Sequence, residues 1–114
     1  MFSYMPEVIE VGALEVRPDE FSAVVGGEPL RLTVRELQLL TALARRQDRI
    51  VTREELYTAV WQRPFRPNER SVDVYVKRLR RKLADALPEA EWIQTHYGFG
   101  YRLSQPFHTT ATGR

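Results

Sequence analysis

The stretch RSVDVYVKRLRRKL, residues 70–83, carries two different faces at helical spacing. Apolar residues recur every three or four positions, as on a buried helix face: Val72, Val76, Leu79, Leu83 and Leu87. At about 100° per residue, the opposite side holds one small apolar residue and four cations: Val74, Arg70, Lys77, Arg78 and Arg81. The sequence therefore predicts a helix over about residues 69–86 with a core face and a cationic face.

Charge is distributed unevenly along the chain, although the formal net charge of its 114 residues is only +2. Residues 1–30 hold six acidic residues and one basic residue, whereas residues 63–82 hold eight basic residues and two acidic ones. A local positive surface on a near-neutral domain is typical of proteins that bind a polyanion. A solvated helix face without a partner is the plain alternative for such a charge run.

Two further helices are predicted upstream, each beginning with a capping box, at Thr33–Glu36 and Thr52–Glu55. In this motif the threonine hydroxyl accepts from the amide of the glutamate, whose carboxylate reaches back to the threonine amide. The first helix should end near residues 47–48, and its apolar face is expected to hold Val34, Leu37, Leu40, Leu43 and Ala44. The second should end near Trp61, because the following loop, residues 62–69, contains two prolines.

Strands are predicted on both sides of the helices. Residues 8–32 contain a Gly26–Gly27 turn signal between apolar runs, which indicates three or four short antiparallel strands. EWIQTHYGFGYRL, residues 91–103, predicts a hairpin in which Gly98 and Gly100 allow the positive φ of the turn. One folded domain, residues 8–104, is expected between a flexible lead, residues 1–7, and a flexible tail, residues 105–114.

The sequence offers no constellation for catalysis. Its two histidines, His96 and His108, are far apart, and it contains no phosphate loop, nucleophile elbow or metal-ligand spacing. Cysteine is absent, which removes disulfides and thiolate metal sites. No apolar run approaches the roughly 20 residues that span a bilayer. We therefore expect a cytoplasmic protein that is not an enzyme and needs no cofactor, metal or membrane.

A DNA duplex is the polyanion that these elements fit. A helix with one exposed basic face can enter the major groove, where arginine forks suit guanine and Val74 suits a thymine methyl group. The second helix offers amides at its start, beside Thr52 and Arg53, to a phosphate. The turn between Tyr97 and Tyr101 would then reach the DNA backbone or the neighbouring minor groove.

Three segments together resemble a known family: residues 32–61 (LTVRELQLLTALARRQDRIVTREELYTAVW), residues 70–83 and residues 93–103 (IQTHYGFGYRL). They are similar to the winged-helix effector domain of OmpR/PhoB-type response regulators, over about residues 8–104. The resemblance implies an α+β winged helix-turn-helix fold with an N-terminal four-stranded antiparallel sheet, three helices and a C-terminal β-hairpin wing. It also implies transcription regulation in bacteria, with the third helix in the major groove.

Residue roles follow by position from this resemblance. It implies base reading by four residues of the third helix: Asp73, Val74, Lys77 and Arg78. It implies contacts with the DNA backbone by Arg53, Trp61, Arg70, Arg80, Thr95 and Tyr101. Three further residues are predicted to contact the DNA backbone because of where they lie. Thr52 is at the start of the second helix, Arg81 is on the cationic face and Tyr97 is in the turn. Loop 62–69 matches a segment that touches RNA polymerase in some members, and members commonly bind direct repeats as tandem homodimers driven by a phosphorylated receiver domain.

Three positions depart from the family pattern. Tyr97 stands where the wing usually has an arginine that enters the minor groove, so we expect a weaker preference for A·T-rich flanks. Asp48 stands where the family usually has glycine, and aspartate tolerates the left-handed conformation better than most residues. Gln62 replaces another frequent glycine, which predicts a different shape for loop 62–69.

Several interpretations stay open from the residues alone. Asp73 can pair with Lys77 four positions later or accept from a cytosine amino group. Trp61 can pack in the core or donate its indole N–H to a phosphate. Phe99 and Trp92 are expected to pack in the core or the turn, whereas two cations are expected at the surface: Lys82 and Arg102. The domain as a whole can also serve mainly for protein contact, with RNA polymerase or with a second copy.

Overall fold

The computed structural model describes residues 5–88 and 90–106, and within them a sheet, three helices and a hairpin follow one another. The strands are β1 (Ile9–Val11), β2 (Leu14–Arg17), β3 (Ser22–Val25), β4 (Glu28–Pro29), β5 (Ile93–His96) and β6 (Gly100–Leu103). The helices are α1 (Val34–Ala44), α2 (Arg53–Trp61) and α3 (Ser71–Ala86). His108 and most of the two expected flexible ends lie outside the described residues.

The N-terminal strands form one antiparallel sheet in the order β1-β2-β3-β4, which confirms the strand prediction for residues 8–32. Side chains alternate between its faces, as the pleat requires. The buried positions on its inner strands are Leu14, Val16, Ala23 and Val25. This face packs against the helices and forms one side of the hydrophobic core.

Helix α1 is the central element of the core, since eight of its eleven residues are buried. Its predicted capping box is present, with Thr33 as the N-cap and Glu36 as its partner. Two predictions for this helix were wrong. It ends at Ala44, where a run of tighter turns begins, rather than near residues 47–48. Val34 is 59% exposed, because the first residue of the helix lies beyond the edge of the core.

The second capping box is also confirmed, with Thr52 as the N-cap of α2 and Glu55 as its partner. Two non-glycine residues near these helices adopt the left-handed conformation, Asp48 at φ 69° and Gln62 at φ 57°. Asp48 donates its amide to the carbonyl of Leu103 at 2.9 Å, which ties this turn to the hairpin. Asp48 and Gln62 therefore adopt the left-handed backbone conformation that glycine favours.

The hairpin of β5 and β6 is fastened to the segment before α2. Val51 and Tyr101 exchange both backbone hydrogen bonds, at 2.7 and 2.9 Å. The approach is close enough that a Cβ on Gly100 would lie 2.0 Å from the carbonyl oxygen of Val51. Gly100 is required by this contact, and the base of the hairpin has a fixed position relative to α2.

Candidate nucleic-acid interface

Helix α3 has the two faces that its sequence predicts. Four of the five predicted residues of its apolar stripe are buried, Val72, Val76, Leu79 and Leu83, while Leu87 follows the end of the helix and is partly buried against the core. The opposite side is exposed, including the residues predicted for its cationic face: Arg70, Val74, Lys77, Arg78 and Arg81. The guanidinium of Arg78 lies 4.8 Å from the centre of the Tyr75 ring, a cation–π distance that steadies this arginine at the surface. The exposed side is thus a ridge of cations around one small apolar residue.

Asp73 lies at the point where α2, α3 and the hairpin meet. Its Oδ1 accepts from the Nε of Arg53 at 2.7 Å and from the hydroxyl of Tyr101. The described structure thus pairs Asp73 with Arg53, which is 20 residues away, and not with Lys77 as one of the two open interpretations had it. Arg53 is predicted to contact phosphate, so the carboxylate holds a candidate DNA contact in one orientation.

The pKa directions in this cluster follow from its contacts. Partial burial raises the pKa of the Asp73 carboxyl, but the hydrogen bonds from Tyr101 and Arg53 outweigh it, so the pKa lies below its usual value. Burial and the neighbouring carboxylate raise the pKa of the Tyr101 hydroxyl. Asp73 is therefore ionised and Tyr101 is neutral at physiological pH, which is the pairing that this hydrogen bond needs.

Arg80 fastens the hairpin to α3. Its Nη2 donates to the carbonyl of Ile93 at 3.0 Å and to the hydroxyl of Thr95 at 2.5 Å. Two guanidinium groups lie near the Tyr101 ring, with Arg53 at 5.8 Å and Arg80 at 5.7 Å from its centre. Four residues predicted to contact the DNA backbone therefore form one intramolecular network, and their contacts with phosphate stay a prediction.

Lys82 does not lie free on the surface, and that prediction was wrong. Its Nζ donates to the carboxylate of Glu36 at 2.6 Å and to the carbonyl of Arg31 at 2.7 Å. Glu36 is only 2% exposed and also accepts from the Thr33 amide. Burial raises the pKa of Glu36, but the bonds from Lys82 and Thr33 outweigh it and leave the pKa below its usual value. Lys82 is the counter-ion of a buried capping carboxylate.

Trp61 lies in an aromatic cluster between α2 and α3. It stacks on Tyr57 with ring centres 5.1 Å apart and meets the edge of Tyr75 at 5.5 Å. Arg35 covers its ring at 5.1 Å and donates to the carbonyl of Val60 at 2.9 Å. These contacts support the packing interpretation of Trp61, while the contact of its indole N–H with a phosphate stays a prediction.

The tip of the hairpin is exposed, in contrast to its base. Tyr97 is 88% exposed and Phe99 is 70% exposed. The expectation that Phe99 packs in the core or turn was therefore wrong, whereas Trp92 is buried as expected. Phe99 and Gly98 line a groove of about 480 Å³ together with residues at the starts of α2 and α3: Thr52, Arg53, Arg70 and Asp73. The hairpin tip and the cationic ridge thus share one side of the molecule.

Sequence reasoning missed two roles within the basic segment, those of Arg80 and Lys82 as internal donors. The only sequence signal was their position on the flanks of α3 rather than on its exposed centre. Within residues 5–88 and 90–106, no helix is long and apolar enough to cross a membrane. The same part of the chain holds no cluster of three or more histidines, aspartates or glutamates arranged for a metal ion.

A family model matches most of this domain. The model, described as "Transcriptional regulatory protein, C terminal", matches residues 27–103, which include all three helices and the hairpin. A curated relative, the alkaline phosphatase synthesis transcriptional regulatory protein PhoP of Bacillus subtilis, is 37% identical over 98 residues. The alignment covers 86% of this chain but 41% of that protein, so the chain spans about two fifths of the relative's length.

Solved structures share the same fold over nearly the whole chain. The DNA-binding domain of CpxR from E. coli has a TM-score of 0.78 and 33% identity, and the match covers 89% of this chain and 99% of that one. The RstA DNA-binding domain of Klebsiella pneumoniae, solved in complex with the RstA box, has a TM-score of 0.77 and 31% identity. That match covers 86% of this chain and 97% of the other.

Proposed function

The chain belongs to the OmpR/PhoB-type family of transcriptional regulators, of which it is a C-terminal effector domain, and on this premise we propose that it binds double-stranded DNA sequence-specifically to regulate transcription. The observation that carries the proposal is the exposed cationic ridge of α3. A rigid helix with a buried apolar stripe and an exposed basic face has the size and charge to enter a major groove. The RstA domain, whose structure contains its DNA, has the same fold.

Base reading is assigned to the exposed centre of α3. Arg78 supplies a guanidinium fork for guanine, Lys77 a second donor, and Val74 an apolar contact for a thymine methyl group. Asp73 has a second task in this proposal. Its Oδ1 holds Arg53, so it orients a phosphate contact in addition to facing the bases.

Contacts with the sugar-phosphate backbone surround this centre. Arg70 and Arg81 lie on the ridge itself and are exposed. Thr52 and Arg53 stand at the start of α2, where free amides favour an anion. The network of Arg80, Thr95 and Tyr101 holds the hairpin in register with these groups. Trp61 and Tyr97 complete the proposed set.

Two partners besides DNA belong to the proposal. Tandem homodimers on a direct repeat would place two α3 helices on one face of the duplex, with half-sites about one helical turn apart. Loop 62–69 exposes Arg63 and Arg66 beside the Tyr57–Phe65 contact, and we assign it to RNA polymerase. A domain that serves mainly for protein contact is the competing function, and the same loop favours it.

Selection of sites from a random duplex library at physiological salt tests the proposal. We expect enrichment of a direct repeat and, on the selected site, a steep salt dependence. Contacts with about six phosphates give a log–log slope near −5. A domain that serves mainly for protein contact would show no enriched sequence and a shallow slope, and that result would contradict the proposal.

Two arginines separate base reading from backbone contact. On the selected site, Arg78→Ala should cost roughly 1–3 kcal/mol of binding free energy and relax the choice at one base pair. Arg53→Ala should weaken binding to all sequences alike and lower the salt slope by about one. The measurement is titration against the site and its single-base variants at several salt concentrations. Uniform loss in both variants would remove Arg78 from base reading.

A further inference from the structure

The tip of the β5–β6 hairpin presents two aromatic rings that the fold does not use. Tyr97 and Phe99 are among the most exposed large apolar side chains of the described residues. A buried aromatic side chain removes about 150–250 Å² from water, so leaving two of them exposed forgoes a large stabilisation. Exposure alone does not identify a partner, since Phe21 is equally exposed, so the surroundings of the two rings decide what they meet.

The backbone presents these rings in a fixed place. Phe99 donates its amide to the carbonyl of His96 at 2.8 Å, which closes the turn around Gly98. Below the turn, Tyr101 is paired with Val51, and Thr95 is bonded to Arg80. The tip is thus a short, tight turn on an anchored base, and it can press into a surface without first ordering a loop.

The residues that line the groove beside the hairpin tip show which side of the molecule the tip faces. Phe99 lines that groove with Thr52, Arg53 and Arg70, which are suited to a phosphate. Three acidic residues line it as well, Glu54, Glu69 and Asp73, of which Asp73 is paired with Arg53. Because Arg70 belongs both to this groove and to the cationic ridge, whatever binds the ridge passes beside Phe99. The tip itself, residues 95–101, contains no lysine or arginine. The exposed residues of the tip, Tyr97, Gly98 and Phe99, carry no charge, so they do not form an ion pair with phosphate, although cations lie nearby.

We infer that the hairpin tip is an apolar wedge for the minor groove of the bound duplex, with Phe99 pressed against a base step and Tyr97 against the adjoining sugar. The inference rests on the proposed DNA binding. Apolar side chains inserted at a base step partly unstack it and kink the duplex. Pyrimidine–purine steps unstack most easily, so the wedge selects a flexible step, such as TA, beside the half-site.

This wedge has a signature that a cation cannot produce. An apolar contact releases no counter-ions, so it adds affinity without steepening the salt dependence. A cationic tip would add both affinity and slope. Removing the Phe99 ring should consequently lower affinity at every salt concentration by the same factor.

The test uses the selected site with a flanking TA step or a stiff AA step, and with 2-aminopurine replacing the adenine of that TA step. The wild type should prefer the TA duplex and raise the 2-aminopurine fluorescence as the base unstacks. Phe99→Ala should lose both effects, with roughly tenfold weaker binding, as for loss of a stacked ring, and an unchanged salt slope. Phe99→Leu should retain part of the wedge.

Phe21→Ala is the matched control, because Phe21 is equally exposed at 70% but lines a different groove, beside α1 and the end of α2. It should bind like the wild type, and thermal melts should show that both alanine variants are folded. Unchanged affinity and fluorescence in Phe99→Ala would overturn the wedge while leaving DNA binding intact. A loss in Phe99→Ala that is confined to cooperative binding on two half-sites would also overturn the wedge, because it would assign the rings to contact with a second protein copy. A wild type that selects no duplex would overturn the proposed function together with the wedge.

Discussion

The cations of α3 form two groups with different surroundings, although residues 77–82 are contiguous in the chain. Lys77, Arg78 and Arg81 are exposed along the cationic ridge. Arg80 and Lys82 are half-buried, and each donates to acceptors outside α3. The difference shows that a basic segment is not one functional unit. Its central residues are available to a ligand, while those on its flanks hold the hairpin and α1 in place.

The positions of Arg80 and Lys82 on the flanks of α3 explain why these two residues make contacts within the protein. A helix lying on a core has its exposed centre in solvent, but its flanks meet the edges of neighbouring elements, where carbonyls and carboxylates need donors. Arg80 meets the carbonyl of Ile93 at one edge, and Lys82 meets Glu36 at the other. Substitutions should therefore affect folding on the flanks and binding at the centre.

The largest effect is expected for Lys82→Met at neutral pH. The substitution leaves the carboxylate of Glu36 buried without its cation, and breaking such a pair costs about 3 kcal/mol of unfolding free energy. Lys77→Met makes the same chemical change at an exposed position of the same helix, so its free energy of unfolding should stay within about 0.5 kcal/mol of the wild-type value. Chemical denaturation of both variants measures the difference.

The pH dependence of the Lys82→Met defect follows from the pKa of Glu36. That pKa is lowered in the fold, so the pair's contribution is present above the unfolded value, about 4.3, and is lost as pH falls through the folded value. The stability difference between wild type and Lys82→Met should therefore be full at neutral pH and shrink in acid, as Glu36 becomes protonated in both proteins. A difference that stays constant down to pH 3 would show that the lysine stabilises by packing instead.

Arg80→Ala should have the next largest effect, because it releases the hairpin from α3. Loss of its charged hydrogen bonds to Ile93 and Thr95 should cost about 2 kcal/mol of unfolding free energy. The double-mutant cycle with Thr95→Val should give a coupling of at least about 0.5 kcal/mol, since the two side chains touch. Strict additivity in that cycle would mean that Arg80 is not the fastening between α3 and the hairpin.

The difference between the centre and the flanks of α3 also shows which features the sequence predicts: local patterns are predicted, and contacts between distant residues are not. Both capping boxes were predicted because their partners lie three residues apart, and the α3 stripe because its period is local. Three or four N-terminal strands and the hairpin followed from turn signals and alternation, whereas the number of four strands followed from the family resemblance. The Lys82–Glu36 pair joins residues 46 apart, and the Arg53–Asp73 pair joins residues 20 apart. No local pattern encodes such contacts.

The hairpin tip was misjudged for a related reason. An aromatic residue beside a glycine turn is typical both of a packed corner and of an exposed contact, and the sequence around Phe99 does not distinguish them. Contacts between distant residues, such as the bridge between Val51 and Tyr101, set how far the tip projects beyond the core. The candidate site was thus predictable as a cationic helix with a hairpin beside it, but the exposure of Phe99 at the hairpin tip was not predicted.

Arg81→Ala is expected to have the smallest effect on folding and a clear effect on DNA binding. Arg81 is exposed on the ridge directly after Arg80, so unfolding free energy should change by less than about 0.5 kcal/mol. Because a phosphate contact carries no base information, affinity should fall alike for all duplexes and the salt slope should decrease by about one. Titration of one selected and one random duplex at four salt concentrations checks this. A large loss of stability in Arg81→Ala would erase the distinction between centre and flank, because Arg81 would then behave like Arg80.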